Sequence, residues 1–115
     1  MHVRPLAAAD LPAALELTQL QKWSHRLDDW ELHFRLGRGF GAVDDDGRLL
    51  GTTLWWAYGD AFGTVGLVVV HPDAQGRGIG RKLMDAAIAD AGDRTLRLCA
   101  TQAGLELYRR CGFVA

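Results

Sequence analysis

The feature that most constrains this chain is an apolar run that leads, after a short turn, into three closely spaced glycines. Residues 67–70 are apolar without alternation, which is typical of a strand covered on both faces of a sheet. The turn opens at Pro72, and the glycines follow at positions 76, 78 and 80. From Ile79 to Ala91, apolar residues recur at helical spacing. The sequence therefore predicts a strand, a glycine-rich loop and a helix N-terminus in direct succession.

This succession predicts a binding site for an anion. The first turn of a helix has unpaired N–H groups and carries about half a positive charge. Glycines allow a phosphate group to approach that backbone closely. Arg77, Arg81 and Lys82 add positive charge to the same segment. The alternative is a glycine-rich turn that only begins a helix, but the apolar strand and the basic residues together favour the anion site.

The spacing of the glycines distinguishes this loop from two common phosphate-binding motifs. The dinucleotide motif G-x-G-x-x-G would need a glycine where the chain has Arg81, which disfavours a nucleotide-binding fold. A Walker loop would need Gly-Lys followed by Ser or Thr, and the chain does not supply it. The stretch from Gln75 to Gly80 instead resembles the Q/R-x-x-G-x-G/A signature of the GCN5-related N-acetyltransferases, the GNAT family.

A second stretch of the chain strengthens this resemblance. Residues 96–101 followed by residues 105–113 look like the fifth strand and fourth helix of the family, with its Tyr-x-x-x-Gly-Phe ending from Tyr108. The order of elements also agrees from Val3 onward, so the similarity covers nearly the whole chain.

The predicted elements indicate an α+β fold. Strands are predicted at 2–5, 40–43, 49–58, 64–70 and 96–99, with a further strand beginning at 113–115. A first helix is capped by Asp10, and a second is capped by Asp28 or Asp29 and ended by Gly37 and Gly39. Further helices are predicted at 79–91 and 103–110. Hairpins precede a β-α-β unit, so we expect a GNAT-like sheet with antiparallel and parallel neighbours, flanked by helices.

The resemblance implies that acetyl-CoA is the cosubstrate and lies where the fourth and fifth strands splay apart. In the family, backbone groups of the fourth strand bind the pantetheine arm, and these correspond to Val68 and Val70. The loop amides hold the pyrophosphate. The residues implied around it are Gln75, Gly76, Arg77, Gly78, Gly80 and Arg81. Because main-chain amides do most of this work, the glycines should matter more than the arginine side chains.

The implied chemistry is direct acetyl transfer to a primary amine. A neutral amine attacks the thioester carbonyl, and a strand N–H near Val68 would stabilise the oxyanion that forms. Tyr108 matches the tyrosine that often protonates the leaving thiolate in the family, so we predict that it is the catalytic acid. The alternative is that Tyr108 only packs at the end of a helix.

The sequence leaves two features of the acceptor site undecided, which are the general base and the role of a group of aromatic side chains. No Glu lies between Thr52 and Gly104, and the nearest candidate bases, Asp60 and His71, are expected in a turn and a loop. We therefore expect a water-mediated proton route. A group of aromatic side chains forms either a wall for the acceptor or part of the core. Its members are Trp23, His25, Trp30, Trp55 and Trp56.

Composition limits the remaining classes. A length of 115 residues fits one domain, residues 1–115. The 13 Lys and Arg against 14 Asp and Glu give a net charge of −1, which argues against a general nucleic-acid binder. We expect no membrane segment and a cytoplasmic protein, because no long apolar run or signal-peptide pattern is present. The four histidines and two cysteines lack metal-ligand spacing, so we expect no metal.

The end of the chain departs from the plan of the family. Relatives continue beyond the Gly-Phe pair into a sixth and a seventh strand, whereas this sequence stops at Ala115. We expect either a C-terminally truncated domain or an open sheet edge that pairs with a second copy as a homodimer. Two functions follow: an N-acetyltransferase for a small-molecule or protein amine, or an acetyl-CoA-binding regulatory module or inactive fragment without turnover.

Overall fold

A five-stranded mixed sheet lies at the centre of the computed structural model, which describes residues 1–99 and 104–114. The strands, in the spatial order β1-β2-β3-β4-β5, are β1 (His2–Pro5), β2 (Arg38–Val43), β3 (Leu49–Tyr58), β4 (Phe62–Val70) and β5 (Thr95–Leu98). The first four are antiparallel to their neighbours, and β5 runs parallel to β4. This arrangement confirms the predicted α+β fold with a mixed sheet.

Four helices cover the two faces of this sheet. They are α1 (Leu11–Leu20), α2 (Leu27–Leu36), α3 (Ile79–Ala91) and α4 (Leu105–Arg110), and short 3₁₀ turns lie at Ala8–Asp10 and Pro72–Ala74. Residues 49–55 of β3 are all buried, so this strand is the centre of the core. Its side chains alternate between faces: Leu54 packs with α1 and α2, whereas Trp55 packs with α3.

The predicted cap of the first helix is wrong. Asp10 directly precedes α1, but its side chain makes no capping hydrogen bond to that helix. Its carboxylate instead accepts two hydrogen bonds from the Arg4 guanidinium, at 2.7 and 2.9 Å, and one from the Ala7 N–H at 2.8 Å. The bonds from Arg4 contribute most to lowering the pKa of Asp10, so this carboxylate joins β1 to the start of α1.

The second helix and the last strand also differ from the prediction. The residue that caps α2 is Arg26, and Asp29 lies in the first turn, where its carboxylate accepts the Arg26 N–H at 2.8 Å. Gly37 follows the helix as predicted, whereas Gly39 belongs to β2. Residues 113 and 114 form no strand, and residue 115 lies outside the described residues, as do residues 100–103 at the predicted start of α4. The ends of helices and short extended segments depend on contacts with neighbouring elements more than on local sequence.

Within residues 1–99 and 104–114, none of the helices has the length and apolar character needed to cross a membrane.

Candidate functional site

A gap opens in the sheet where β5 stops pairing with β4. The parallel register begins at Phe62 opposite Thr95 and ends at Val65 opposite Leu98. Beyond Val65, the strand partner of β4 among the described residues is β3. This is the splay between the fourth and fifth strands that the family resemblance implied.

The backbone of β4 beyond the pairing turns hydrogen-bonding groups toward this gap. The His71 N–H donates to the Leu50 carbonyl at 2.7 Å, which fixes the alternation of bonded and non-bonded positions along the strand. Val70 and Val68 therefore direct their backbone groups away from β3. These are the two positions that the sequence assigned to a pantetheine arm.

A β-bulge marks the start of the open part of β4. The register between β3 and β4 shifts between Thr52 and Leu54, and Leu67 has a φ of +50°. The Thr52 hydroxyl donates to the Leu67 carbonyl at 2.8 Å and so satisfies an oxygen that the shifted ladder leaves without its usual partner. A left-handed leucine costs about 1–2 kcal/mol, and such strain accumulates at functional sites.

The glycine-rich loop presents backbone amides at the end of this gap. Gly76 and Gly78 have φ values of +82° and +78°, a conformation that side-chain-bearing residues rarely adopt. The hydrogen bonds of α3 begin with the Lys82 N–H, which donates to the Gly78 carbonyl at 3.2 Å. The N–H groups of residues 78–81 precede that bond and are the donors that a helix N-terminus leaves unpaired, and those of Gly76 and Arg77 lie in the loop just before them. The loop therefore has the donor arrangement expected of an anion site.

Position 80 requires glycine for a different structural reason from positions 76 and 78. A Cβ at this position would lie 3.0 Å from Leu107 Cδ2 and 3.8 Å from Val70 Cγ2. The absence of a side chain at Gly80 thus allows α4 to pack closely on the start of α3.

These elements enclose a cleft of about 580 Å³ that brings together most of the predicted site residues. Its lining includes every residue predicted to bind the cofactor except Arg77, and it also includes Tyr108. The lining, as far as the described residues show it, is Gln21, Trp23, Val68, Val69, Val70, Ala74, Gln75, Gly76, Gly78, Ile79, Gly80, Arg81, Gly104, Leu107, Tyr108 and Arg110. The Arg77 guanidinium turns back along the loop and donates to the Asp73 carbonyl at 3.3 Å.

The polar side chains of the cleft hold its parts together. The Gln75 amide donates to the Val70 carbonyl at 3.2 Å and so ties the loop to the end of β4. Arg81 pairs with Asp85 on α3 at 3.1 Å and donates to the Arg110 carbonyl of α4 at 2.9 Å. Arg81 is therefore a link between two helices as well as a positive charge beside the loop.

Tyr108 enters the cleft from α4. Its ring lies against Gly104, where a Cβ would come within 2.7 Å of Tyr108 Cε2, and it meets Phe113 edge-on at 6.3 Å between ring centroids. Burial, and secondarily the neighbouring Cys111 thiol, raises the pKa of the Tyr108 hydroxyl. The hydroxyl consequently keeps its proton to a higher pH than an ordinary tyrosine, as a proton donor requires.

The opposite wall of the cleft is the corner where α1 ends. The Trp23 N–H donates to the Thr18 carbonyl at 3.0 Å, and the Lys22 N–H donates to the Gln19 carbonyl at 2.9 Å. These bonds form a Schellman motif in which Lys22 takes the left-handed position with a φ of +61°. The corner directs Gln21 and Trp23 to the cleft. No sequence pattern predicted that Gln21 lines the cleft, because its only visible feature was its place in a polar loop.

The aromatic residues considered in the sequence divide between core and cleft. Trp30 and Trp55 are 0% and 2% exposed and belong to the core. Trp23 alone of the five lines the cleft. The remaining two, His25 and Trp56, both make ring contacts with His33, at 6.3 and 5.5 Å between centroids.

The two candidate bases lie outside the cleft. Asp60 is fully exposed in the turn before β4, at the end of that strand opposite to the glycine loop. His71 directs its side chain to the other side of the loop, toward Arg48 and α1. Among the described residues, the lining of the cleft has no Asp, Glu or His. In the same residues, no three His, Cys, Asp or Glu side chains come together in a group suited to a metal ion.

Comparisons with known sequences agree with this architecture. The family model described as the acetyltransferase (GNAT) domain matches residues 36–115. An uncharacterised N-acetyltransferase, YitH of Bacillus subtilis, is 36% identical over 78 residues, which cover 67% of this chain and 27% of the relative. A mycothiol acetyltransferase of Cellulomonas flavigena is 37% identical over 92 residues, covering 65% of this chain and 26% of the relative. The chain thus spans about a quarter of the length of these curated relatives.

Solved structures show the same fold. The structure of Rv2747 from Mycobacterium tuberculosis, in complex with CoA and NLQ, superposes with a TM-score of 0.86 at 20% identity, covering 99% of this chain and 72% of that one. The ribosomal-protein-S18-alanine N-acetyltransferase of Escherichia coli gives a TM-score of 0.84 at 24% identity, covering 96% of this chain and 76% of that one. The matching domain model, the mixed sheet and the glycine-rich loop lead to one conclusion, which is that this chain belongs to the GNAT acetyltransferase family.

Proposed function

We propose that the cleft between β4 and β5 binds acetyl-CoA and that the chain transfers its acetyl group directly to a primary amine. The observation that carries this proposal is the continuity of one cleft, which runs from open backbone groups on β4 to unpaired amides at the start of α3. A long cosubstrate with a peptide-like arm and a pyrophosphate needs these two kinds of donor in this order. Membership of the GNAT family supports the same assignment.

The residues present fit the two polar parts of acetyl-CoA. Val68 and Val70 would hold the amides of the pantetheine arm in the way that a neighbouring strand would, because the described part of β5 pairs with that side of β4 only as far as Val65. The amides of residues 76–81 would bind the pyrophosphate, and Arg81 and Arg110 would add positive charge beside it. When bound, acetyl-CoA supplies the acetyl group as an activated thioester.

Tyr108 would supply the proton that the departing thiolate needs. Tyr108 lines the same cleft as the open backbone of β4, and burial raises the pKa of its hydroxyl, so the proton-donor form persists to a higher pH than in an ordinary tyrosine. The N–H of Val68 would stabilise negative charge on the carbonyl oxygen.

The acceptor amine would approach from the corner at the end of α1. Gln21 offers an amide for hydrogen bonding, and Trp23 offers an aromatic face that attracts an ammonium group before it loses its proton. Since no carboxylate or histidine lines the described part of the cleft, we infer that water accepts the amine proton. The acceptor class stays a small-molecule or protein amine, and the names of the relatives support amine acetylation in general.

Binding and thiol release together test this function. We expect acetyl-CoA, and to a lesser degree CoA, to raise the melting temperature of the chain, and a panel of primary amines to contain at least one that triggers CoA release. Binding without release for any amine would favour the alternative, a regulatory module or inactive fragment. Stabilisation by ATP or NAD but not by CoA would contradict both and would favour a nucleotide-binding protein.

Two further sequence-based expectations stay predictions. One is the pairing of β5 with a second copy, which analytical ultracentrifugation tests, since a monomer at high concentration would contradict it. The other is the cytoplasmic location, which fractionation of the source cells tests.

A further inference from the structure

His71 stands at the junction between β4 and the glycine-rich loop, and its backbone is held on both sides. Its N–H donates to the Leu50 carbonyl at 2.7 Å, and its own carbonyl accepts the Ala74 N–H at 2.9 Å. Its side chain is 14% exposed. The backbone of His71 therefore joins the last bond of the sheet to the first turn of the loop.

The imidazole adds a second connection through Nδ1. This nitrogen accepts the backbone N–H of Asp73 at 3.1 Å, so the side chain caps the 3₁₀ turn from Pro72 to Ala74. Asp73 is in turn bonded to the loop, because its carbonyl accepts a hydrogen bond from the Arg77 guanidinium at 3.3 Å. Through these two bonds the imidazole contacts the segment that leads into Gly76 and Gly78.

The other ring nitrogen faces a cation. Nε2 lies 3.1 Å from Nη2 of Arg48, and the Arg48 N–H donates to Asp44 in the turn that closes the β2–β3 hairpin. Both ring nitrogens of His71 thus meet N–H donors. Because the Asp73 amide is fixed by the backbone whereas the Arg48 head group is carried on a flexible chain, the tautomer that keeps Nδ1 as an acceptor is favoured.

We propose that His71 is a positioning residue for acetyl-CoA binding: its imidazole, which accepts the Asp73 N–H through Nδ1, fixes the geometry of the glycine-rich loop. Without this acceptor the 3₁₀ turn from Pro72 to Ala74 loses its cap, and the loop amides that follow it lose their common orientation.

Two substitutions distinguish a positioning role of the His71 side chain from a purely structural one. His71→Ala removes the acceptor, and we expect it to weaken CoA binding about fivefold, a typical loss for an N-cap. His71→Asn retains a side-chain acceptor that reaches the N–H two residues ahead, so it should restore most of the affinity. His2→Asn, an exposed histidine on β1, is the matched control and should behave as wild type.

The binding measurement rests on the proposed function, so amide hydrogen exchange of the unliganded protein provides the independent test. We expect faster exchange at Asp73 and Ala74 in His71→Ala, recovery in His71→Asn, and unchanged protection in β3 for both variants. If wild type binds no CoA but these exchange rates change as expected, the proposed function fails and the positioning of the loop stands. If His71→Ala leaves both exchange and affinity at the wild-type level, or if His71→Asn recovers neither of them, the role of His71 is overturned.

Discussion

The helices on the two sides of the cleft, α1 and α4, end in the same hydrogen-bonded turn. Trp23 N–H to Thr18 closes α1, and Phe113 N–H to Tyr108 closes α4, each at 3.0 Å. The left-handed residue of the turn is Lys22 in α1 and Gly112 in α4, with φ values of +61° and +95°. Glycine takes this conformation at little cost, whereas lysine is strained in it.

The two helices differ most in how they are anchored. Four residues of α1 are buried, among them Thr18, whose hydroxyl accepts from the buried Trp30 indole at 3.2 Å. The described part of α4 has no buried residue, and it is attached through contacts such as Leu107 against Gly80 and Arg81 to the Arg110 carbonyl. The wall formed by α1 is therefore part of the core, and the packing of this helix can offset the strain of the left-handed Lys22. Changes at α1 should affect stability first, and changes at α4 or its contacts should affect binding and turnover first.

The largest expected effect is at the weakly anchored wall. Tyr108→Phe should lower kcat roughly a hundredfold, because the proton for the departing thiolate is lost, while the Kd for CoA changes little. Steady-state thiol release and calorimetric titration measure the two quantities. Tyr58→Phe, an exposed tyrosine stacked on Phe62, should leave both unchanged. A Tyr108→Phe variant with full kcat would show that this residue only packs at the helix end.

The raised pKa of Tyr108 sets the direction of a pH effect on the same step. The hydroxyl is protonated below its pKa, and burial moves that pKa upward, so the donor form persists to a higher pH than in an ordinary tyrosine. The activity should therefore not decline through the ordinary tyrosine range, near pH 10, before the buried group itself ionises. Ultraviolet titration of Tyr58→Phe, which leaves Tyr108 as the only tyrosine, would locate that ionisation directly.

The next effect concerns the wall at α1. Thr18→Val removes the acceptor of the Trp30 indole N–H and leaves a buried donor without a partner, which should cost about 2 kcal/mol of unfolding free energy. Urea denaturation measures the loss, and Thr18→Ser, which keeps the hydroxyl, is the control. The affinity of the folded variant for CoA should match wild type. A large loss of affinity at unchanged stability would reverse the proposed division between the two walls.

A smaller effect compares the two glycines that bound α3. Gly78→Val and Gly92→Val both place a branched side chain at positive φ, +78° and +67°, with no atom within 4 Å of the new Cβ. Gly78→Val should lose about 1–2 kcal/mol of stability, because its ψ of 12° lies in the left-handed helical region, and Gly92→Val should lose more, because its ψ of −131° lies outside that region. Only Gly78→Val should also weaken CoA binding, roughly tenfold, since its backbone belongs to the amide cluster. Equal affinities for the two variants would contradict the assignment of the loop as the pyrophosphate site.

The smallest effect is a reciprocal exchange between the two turns. Lys22→Gly relieves the strained position in α1 and should stabilise the fold by up to about 1 kcal/mol. Gly112→Lys introduces the same strain in α4, where fewer contacts oppose a local change. We expect thermal melting to record the gain in the first variant and CoA affinity to record the loss in the second. Opposite readouts would mean that α4 is as firmly anchored as α1.

Strong local signals predicted the fold well. The bounds of β3 and α3 agree with the prediction residue for residue, because a hairpin turn and an amphipathic stripe define them. The helix caps were harder to predict from the sequence, because Asp10 pairs with Arg4 of another element and its carboxylate is therefore not available to α1. The positive φ of Leu67 was not predictable either, because the register of β3 against β4 imposes it.

The candidate site was predicted where the backbone defines it. The glycine spacing identified the loop, and Tyr108 followed from the ending of α4. Gln21 and Arg110 reach the cleft only through the packing of their helices, which leaves no pattern in the sequence. Arg77 was assigned to the ligand by its place between two glycines, whereas its side chain is directed along the loop to Asp73.

The close contact of Gly80 with Leu107 has a consequence for the dimensions of the cleft. A single methyl group at residue 80 would fall 3.0 Å from Leu107 Cδ2, so the Leu107 side chain would have to give way by a few tenths of an ångström. Tyr108 is the next residue on the same short helix. The absence of a Cβ at residue 80 thus determines how closely the helix that carries the phenol can pack beside the opening of the cleft.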